Sequence, residues 1–217
     1  MTSIRGMKID EETKRRCIQK ARELAAEYQG TLVGCGHCSF AAIIDALKSV
    51  GIRLIPEEVE EKAFSGLMGL TGGVGNMGLG ACGALIGASF CVSLATGVTR
   101  KENETDKDSR WLAYYDVKKY MCEKFLERWG ALTCREIQMK NFGRAYNSRI
   151  PERSKELFEM ANKKGCRNPE QCTISLAAGW ATEAILEILE RTQEEREKLK
   201  REIIATYAKD TKVALKE

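Results

Sequence analysis

The feature that most limits how this chain can fold is an uncharged, glycine-rich stretch near its middle. Residues 72–87 read GGVGNMGLGACGALIG and contain a single cysteine, Cys82. No charged residue occurs between positions 63 and 99. A stretch of this kind has three interpretations: a phosphate-binding loop, part of a membrane-spanning helix, or a backbone shaped around a reactive thiol. The rest of the sequence has to decide among them.

The remainder of the chain favours helices. Only three of the 217 residues are proline, and charged residues make up 30% of the chain and hydrophobic residues 43%. Those values are typical of a globular domain, and the apolar residues recur at helical spacing. We therefore predict an all-α fold, a helical bundle of about seven or eight helices in which the glycine-rich loop leads into a buried central helix. The short segment IRLI at 52–55 is the one candidate strand.

The same pattern predicts how the chain is organised. We expect an N-terminal helix within residues 1–32, a cysteine-rich redox domain over 33–189 and a helical extension over 190–217, all in one compact domain. The second helix is expected to start after Gly36, and an acidic linker is expected at 102–108. A single long final helix is expected to begin at Asn168, before a proline that suits the first helical turn.

Charge and cysteine content limit the class of protein. The net charge is +4, but basic and acidic residues alternate, as in ERTQEEREKLKREI at 190–203. This mixture argues against a nucleic-acid partner. The N-terminus lacks the apolar segment of a signal peptide, so we expect a cytoplasmic protein. In a reducing cytoplasm, nine cysteines indicate metal binding or redox chemistry more than disulfides.

The first two interpretations of the glycine-rich stretch are the weaker ones. The segment 73–78 matches G-x-G-x-x-G, but no convincing strand precedes it and the next acidic residue is Glu102. The uncharged run 63–99 and the pair Gly83 and Gly87 agree better with a membrane helix. However, the first half of the run is glycine-broken backbone, which a lipid environment does not tolerate. A membrane location is therefore the less favoured alternative.

The third interpretation depends on where the cysteines fall. Four of them lie at predicted helix starts: Cys38, Cys82, Cys134 and Cys172. Thr133 and Glu136 form a capping box that places Cys134 at the first helical position. Free N–H groups and the positive end of the helix dipole favour a thiolate, which is the form that binds metals. If the four helix starts converge, they form a thiolate-bound metal site, with Gly80 and Gly83 leaving room for a cluster.

The other cysteines and the one histidine have more ordinary explanations. Cys17 and Cys122 are expected in the apolar core. Cys35 forms a C-x-x-C pair with Cys38, and either Cys35 or Cys166 can substitute for an assigned ligand. The only histidine, His37, is more often a polar residue with ordinary partners than a metal ligand.

Together these segments resemble a known family. The order Cys38, GGVGNMGLGACGALIGA, WGALTCREI and a cysteine opening the last helix is similar to the C-GCAxxG-C-C family of redox-active proteins, common in anaerobic bacteria and archaea. The resemblance covers roughly residues 33–189 and maps onto the same four cysteines. A relative, the split-Soret cytochrome, joins a similar domain to haem segments and carries an iron–sulfur centre. The resemblance implies an iron–sulfur cluster here, expected as [2Fe–2S], and no haem, because Ser39 follows Cys38 where C-x-x-C-H needs histidine.

Electron transfer or redox sensing through an iron–sulfur cluster is thus the leading expectation, rather than conventional enzymatic turnover. A structural Cys₄ zinc site is the main alternative. A thiol–disulfide protein using Cys35 and Cys38 is the third, and a membrane protein is the fourth. The expected partner is another redox protein, and the small face formed by Gly83 and Gly87 is compatible with a homodimer.

Overall fold

The computed structural model describes residues 5–214, with side chains described as far as Tyr207. Within this range the chain forms helices and no β-strand, and one isolated bridge joins Ala81 and Thr133. The predicted all-α fold is confirmed. The helices are α1 (Glu11–Thr31), α2 (Cys35–Ser49), α3 (Glu57–Met68), α4 (Gly83–Thr96), α5 (Arg100–Thr105), α6 (Arg110–Val117), α7 (Glu123–Trp129), α8 (Cys134–Phe142), α9 (Pro151–Lys163), α10 (Thr173–Glu190) and α11 (Gln193–Ala214).

Helices α1, α2, α4 and α10 pack against one another and enclose the main core. Many of the buried residues between them are alanines, such as Ala42, Ala88 and Ala181, which are fully buried. A Cβ added at Gly87 of α4 would lie 2.1 Å from the carbonyl oxygen of Gly36 in α2. The small face of the uncharged stretch therefore lets α2 approach closely, and α4 is the buried central helix that the sequence predicts.

Helices α4 and α10 run in the same direction through the bundle. Both begin beside cysteines, since Cys82 precedes α4 and Cys172 precedes α10. At their far ends, Thr96 of α4 donates a hydrogen bond to Asp116, and the guanidinium of Arg191, directly after α10, binds the same carboxylate. The bundle thus has a cysteine end and a charged end.

Local signals fix several helix starts as predicted. Asp10 caps α1 by accepting a hydrogen bond from the Thr13 N–H at 2.8 Å. Thr133 caps α8 by accepting one from the Glu136 N–H, so Cys134 is the first residue of that helix. In both cases a side-chain oxygen binds an N–H that the first turn leaves without a partner.

Three predictions in the first half of the chain are wrong. Helix α2 begins at Cys35, before Gly36 rather than after it. The expected linker at 102–108 is largely helical, because α5 is followed by a 3₁₀ turn at Lys107–Ser109. An ion pair between Glu102 and Arg196 ties this segment to α11 at 2.7 Å. The segment at 52–55 is not a strand.

The expected single final helix is two helices. The segment before α10 is a turn in which the Asn168 side chain accepts a hydrogen bond from the Glu170 N–H, so α10 starts only at Thr173. After Arg191 the chain restarts, because Thr192 and Glu195 form a second capping box at the start of α11. Across residues 5–214, no helix combines the length and the apolar character needed to cross a membrane.

Candidate functional site

One cavity of about 470 Å³ gathers five of the nine cysteines in its lining. Its walls come from the starts of α2, α4, α8 and α10, from the glycine-rich loop before α4 and from α9. Among the described residues, no aspartate, glutamate, lysine or arginine lines it. Thiols and the imidazole of His37 are therefore the ionisable groups of this lining. The five cysteines are Cys35, Cys82, Cys134, Cys166 and Cys172.

Four of these thiols stand at helix starts. Cys35 and Cys134 are the first residues of α2 and α8, and Cys82 and Cys172 immediately precede α4 and α10. The N-terminal ends of four helices consequently meet around one cavity. Each end carries the positive pole of its helix dipole, which favours a thiolate over a neutral thiol.

The glycine-rich loop brings Cys82 and Cys134 together. The Cys82 N–H donates to the Leu132 carbonyl, and the Cys134 N–H donates to the Gly80 carbonyl, both at 2.9 Å. Gly73, with φ +76°, passes so close to Cys134 that a Cβ at position 73 would lie 2.8 Å from the Cys134 Cβ. A side chain at Gly73 would therefore push this loop off α8.

Gly80 and Gly83, which were expected to make room for a cluster, lie against other atoms of the protein. A Cβ at Gly83 would lie 2.3 Å from the Cys35 Sγ, and one at Gly80 would lie 2.8 Å from the Gly73 carbonyl oxygen. Gly83 thus makes space for the Cys35 thiol, and Gly80 makes space for the loop itself. Direct contact of these glycines with a cluster stays a prediction.

Cys35 has the richest set of hydrogen-bond donors among the cysteines. The Gly72 N–H donates to its Sγ at 3.4 Å, and the N–H groups of Gly83 and Ala84, at the start of α4, also point to this sulfur. Burial raises the pKa of Cys35, and the N–H groups oppose that rise without cancelling it. The site therefore holds a protonated thiol at neutral pH that is prepared to become a thiolate when a cation binds.

Cys38, by contrast, lies behind the cavity. Its side chain is fully buried and is not part of the lining. Its Sγ donates a hydrogen bond to the Tyr28 carbonyl at 3.3 Å, and burial raises its pKa to about 12. The N-terminal position of α2 belongs to Cys35, because the helix starts three residues earlier than the sequence suggested.

Burial also dominates the acidity of three other cavity thiols. It raises the pKa of Cys134 to about 11, of Cys166 to about 12 and of Cys82 above its usual range. The helix starts favour a thiolate at Cys82 and Cys134, but burial outweighs them there. Loss of hydration costs a thiolate more than the helix ends return.

Besides Cys38, three further cysteines lie outside the cavity. Cys17 and Cys91 are fully buried in the main core. Cys122 is half-buried in the π-helical turn Lys118–Cys122 between α6 and α7. None of them is in the lining.

The structure adds Gln138 to the site, a residue that the sequence did not single out, and it places His37 there as well. The Gln138 Nε2 donates to the Cys134 Sγ at 3.3 Å, and its Oε1 accepts from the Tyr146 N–H at 2.8 Å. Its spacing of one helical turn after Cys134 is the signal that could have revealed it. His37 lines the cavity and is 3% exposed, with its Nδ1 3.5 Å from the Thr71 Oγ1. Its Nε2 has no hydrogen-bond partner among the described residues.

The spacing of the side chains restricts what they can bind. Within residues 5–207, whose side chains are described, no three histidine, cysteine, aspartate or glutamate side chains form a group that could hold a metal ion. The thiols are gathered around a shared cavity without forming a compact single-ion site. The described lining residues nevertheless include five cysteines, which are soft sulfur donors, and no carboxylate. Such a donor set is associated with zinc, copper(I) and iron–sulfur chemistry.

Comparison with known families agrees with this donor set. The family model described as "Putative redox-active protein (C_GCAxxG_C_C)" matches residues 35–184, which is more than half of the chain. Among curated proteins and among solved structures there is no significant match. The matched span begins at Cys35 and includes all five lining cysteines. The chain therefore belongs to the C_GCAxxG_C_C family, and its role is a redox one.

Proposed function

We propose that the cavity holds an iron–sulfur cluster through Cys35, Cys82, Cys134 and Cys172, and that the protein transfers electrons through it. The observation that carries the proposal is the meeting of four helix starts, each with a cysteine, around one cavity without charged side chains among its described lining residues. Cysteine thiolates are the usual ligands of such clusters. Cys35 takes the place that the sequence analysis gave to Cys38, because the Cys38 thiol lies outside the lining.

The spacing of the thiols favours a cluster over a single zinc ion. Sulfur atoms bound to one tetrahedral ion at about 2.3 Å lie within roughly 4 Å of one another. Among the described residues there is no group of three or more histidine, cysteine, aspartate or glutamate side chains that could hold one metal ion. A cluster places its ligands around several metal atoms and so spans wider separations, and [2Fe–2S] is the form that we propose. Cys166, half-buried in the same lining, is the alternative fourth ligand.

The protein's own groups would tune such a centre. When bound, the cluster would supply a one-electron couple. The N–H groups of Gly72, Gly83 and Ala84 approach the Cys35 sulfur, and the Gln138 amide approaches the Cys134 sulfur. Hydrogen bonds to ligand sulfur and the positive helix ends stabilise added negative charge, which raises the reduction potential.

The acidity of the thiols favours metal-centred chemistry over disulfide exchange. Disulfide exchange needs a thiolate at working pH, whereas burial raises the pKa of Cys38 to about 12 and of Cys134 to about 11. A metal centre supplies the positive charge that deprotonates such thiols. The Cys38 thiol is also directed to the Tyr28 carbonyl rather than to the cavity, which argues against Cys35 and Cys38 as an exchanging pair.

The proposal is tested by iron and acid-labile sulfide analysis of protein purified without oxygen, with its electron paramagnetic resonance spectrum before and after reduction. Wild-type protein and Cys91→Ala are expected to contain both elements, and Cys82→Ala is expected to lose most of its iron while remaining helical by circular dichroism. Cys91 is the matched control, because it is a buried cysteine outside the cavity. Stoichiometric zinc without sulfide, or metal-free wild-type protein, would overturn the proposal.

A further inference from the structure

The cavity is wider than its ring of thiols. Its outer wall is formed by apolar side chains of α8 and α9, which have no affinity for a metal or for inorganic sulfide. Ligand-binding pockets for small organic molecules typically occupy 300–1,000 Å³ and are mostly apolar, and this cavity of about 470 Å³ falls in that range. The wall includes Ile137, Phe142, Leu157, Phe158 and Ala161.

Helix α9 contributes to the cavity without being packed into the core. None of its residues is buried, although it carries an apolar side with Leu157, Phe158 and Ala161, and these residues line the cavity. Phe158 is 43% exposed. The apolar side of α9 therefore faces the cavity rather than another helix.

Two lining side chains each carry a buried polar atom that has no partner among the described residues. The Nε2 of His37 and the Oε1 of Gln29 are buried and make no hydrogen bond within the described residues, and both side chains belong to the lining. A buried polar atom without a partner lowers the stability of the folded protein. Such groups in a folded protein point to a bound partner molecule or to water.

We propose that the cavity also binds an uncharged, mainly apolar organic molecule with one hydrogen-bonding group, beside the redox thiols. The inference deepens the proposed function and rests on it for its meaning, because the molecule would lie next to the electron-transfer centre. An anionic ligand would meet no cationic side chain in the described lining, and a cationic one would meet no carboxylate. The helix ends offset the desolvation cost of an anion only in part, and nothing in the described lining offsets that of a cation.

Three probes of similar size test the ligand class at pH 7.5. 2-Naphthol is neutral and has one hydroxyl, naphthalene lacks the hydroxyl, and 2-naphthoate is an anion. Equilibrium dialysis and calorimetry against the full-length protein, purified without oxygen, give the three affinities. We expect 2-naphthol to bind at least about tenfold more tightly than 2-naphthoate, and several-fold more tightly than naphthalene.

Two variants locate the binding site. Ala161→Trp fills the cavity from α9 and is expected to weaken 2-naphthol binding at least about tenfold. Asn162→Trp is the matched control, because Asn162 is exposed on the same helix and does not line the cavity. His37→Phe removes a polar partner and is expected to reduce the preference for 2-naphthol over naphthalene. Since α9 has no buried residue, its two variants are expected to fold.

Iron and sulfide are measured on the same samples, so the two proposals can fail separately. Binding of 2-naphthol that Ala161→Trp abolishes supports the pocket even when iron is absent, and missing iron then counts only against the cluster. Iron and sulfide without 2-naphthol binding would overturn the pocket and leave the cluster. Tighter binding of 2-naphthoate than of 2-naphthol, or equal binding by Ala161→Trp and Asn162→Trp, would also overturn the pocket.

Discussion

The two ends of the bundle differ in the polar groups that they bury and in the partners of those groups. At the charged end, the carboxylate of Asp116 is fully buried, and it accepts hydrogen bonds from Arg191 at 2.8 and 3.0 Å and from the Thr96 hydroxyl at 2.8 Å. At the cysteine end, thiols and the orphan atom of His37 surround a cavity with no charged partner in the described lining. The two ends are about 27 Å apart, the length of the 18-residue α10.

This difference in buried polar groups indicates different roles for the two ends. A buried carboxylate with every partner in place contributes to holding helices α4, α6 and α10 together. The cysteine end leaves donors and acceptors unmatched within the described residues, although unmatched buried groups reduce stability. We infer that the charged end is structural and that the cysteine end is kept for binding. The predictions below separate these two roles.

The largest effect is expected at the charged end. Asp116→Ala leaves the Arg191 guanidinium in a mostly buried position without its carboxylate. Removing one partner of such a pair lowers the free energy of unfolding by about 3–5 kcal/mol. Urea unfolding measures the loss, and the iron content of the folded fraction is expected to stay unchanged.

The control for Asp116→Ala is Arg100→Ala, which removes a helix-surface pair with Glu104 in which the Arg100 side chain is 92% exposed. Its unfolding midpoint is expected to match that of the wild type, because exposed pairs contribute little. Equal losses in the two variants would contradict a structural role for the buried pair.

A second effect is expected where α4 crosses α2. Gly87→Ala would place a Cβ 2.1 Å from the Gly36 carbonyl oxygen and 2.3 Å from the Ser39 Oγ. Separating the helices to relieve this overlap is expected to lower the free energy of unfolding by about 2–3 kcal/mol. The matched substitution is Gly66→Ala in α3, where a Cβ meets nothing within 4 Å. It is expected to stabilise the protein by about 0.5–1 kcal/mol, and a loss at Gly66 equal to that at Gly87 would refute the packing argument.

A third effect concerns pH and separates burial from function. Burial raises the pKa of Cys17, a core thiol outside the cavity, to about 11. The folded state therefore keeps a proton that the unfolded chain releases near pH 9, so this stabilisation is full below pH 9 and is lost as the pH rises to 11. The difference between the two pKa values corresponds to about 2–3 kcal/mol. The difference in the free energy of unfolding between wild type and Cys17→Ala is expected to be smaller at pH 11 than at pH 8. An equal difference at the two pH values would contradict the assignment.

The smallest effect is expected at the cysteine end. Gln138→Leu removes the amide that donates to the Cys134 sulfur. Without that hydrogen bond the reduction potential of the bound centre is expected to fall, on the order of tens of millivolts. Lys140→Leu, an exposed position on the same helix, serves as the control in the redox titration. An unchanged potential in Gln138→Leu would contradict a role for Gln138 in setting the reduction potential.

Sequence reasoning succeeded where the signal was local. The capping box of Thr133 and Glu136 placed Cys134 at its helix start without knowledge of the fold. It failed where distant residues decide the outcome. Gly36 disfavours helix on its own, yet its close packing against Gly87 keeps it inside α2, and this makes Cys35 the first helical residue.

The division of the final helix has the same kind of cause. The sequence from Asn168 onwards reads as one continuous helix. However, the backbone at Arg191 is extended, with ψ 126°, and the Arg191 side chain binds Asp116, 75 positions away in the sequence. No local pattern announces a partner at that distance. Likewise, the apolar wall that α9 gives to the cavity depends on where that helix lies, which its amphipathic sequence does not specify.

Comparison of Cys35→Ala with Cys38→Ala tests the central claim most directly. The two residues are three positions apart on α2, but only Cys35 lines the cavity, whereas Cys38 is buried behind it. Iron and acid-labile sulfide are measured per folded protein after purification without oxygen. We expect Cys35→Ala to lose most of both elements and Cys38→Ala to retain them. Retention of the cluster in Cys35→Ala together with its loss in a folded Cys38→Ala protein would contradict the account.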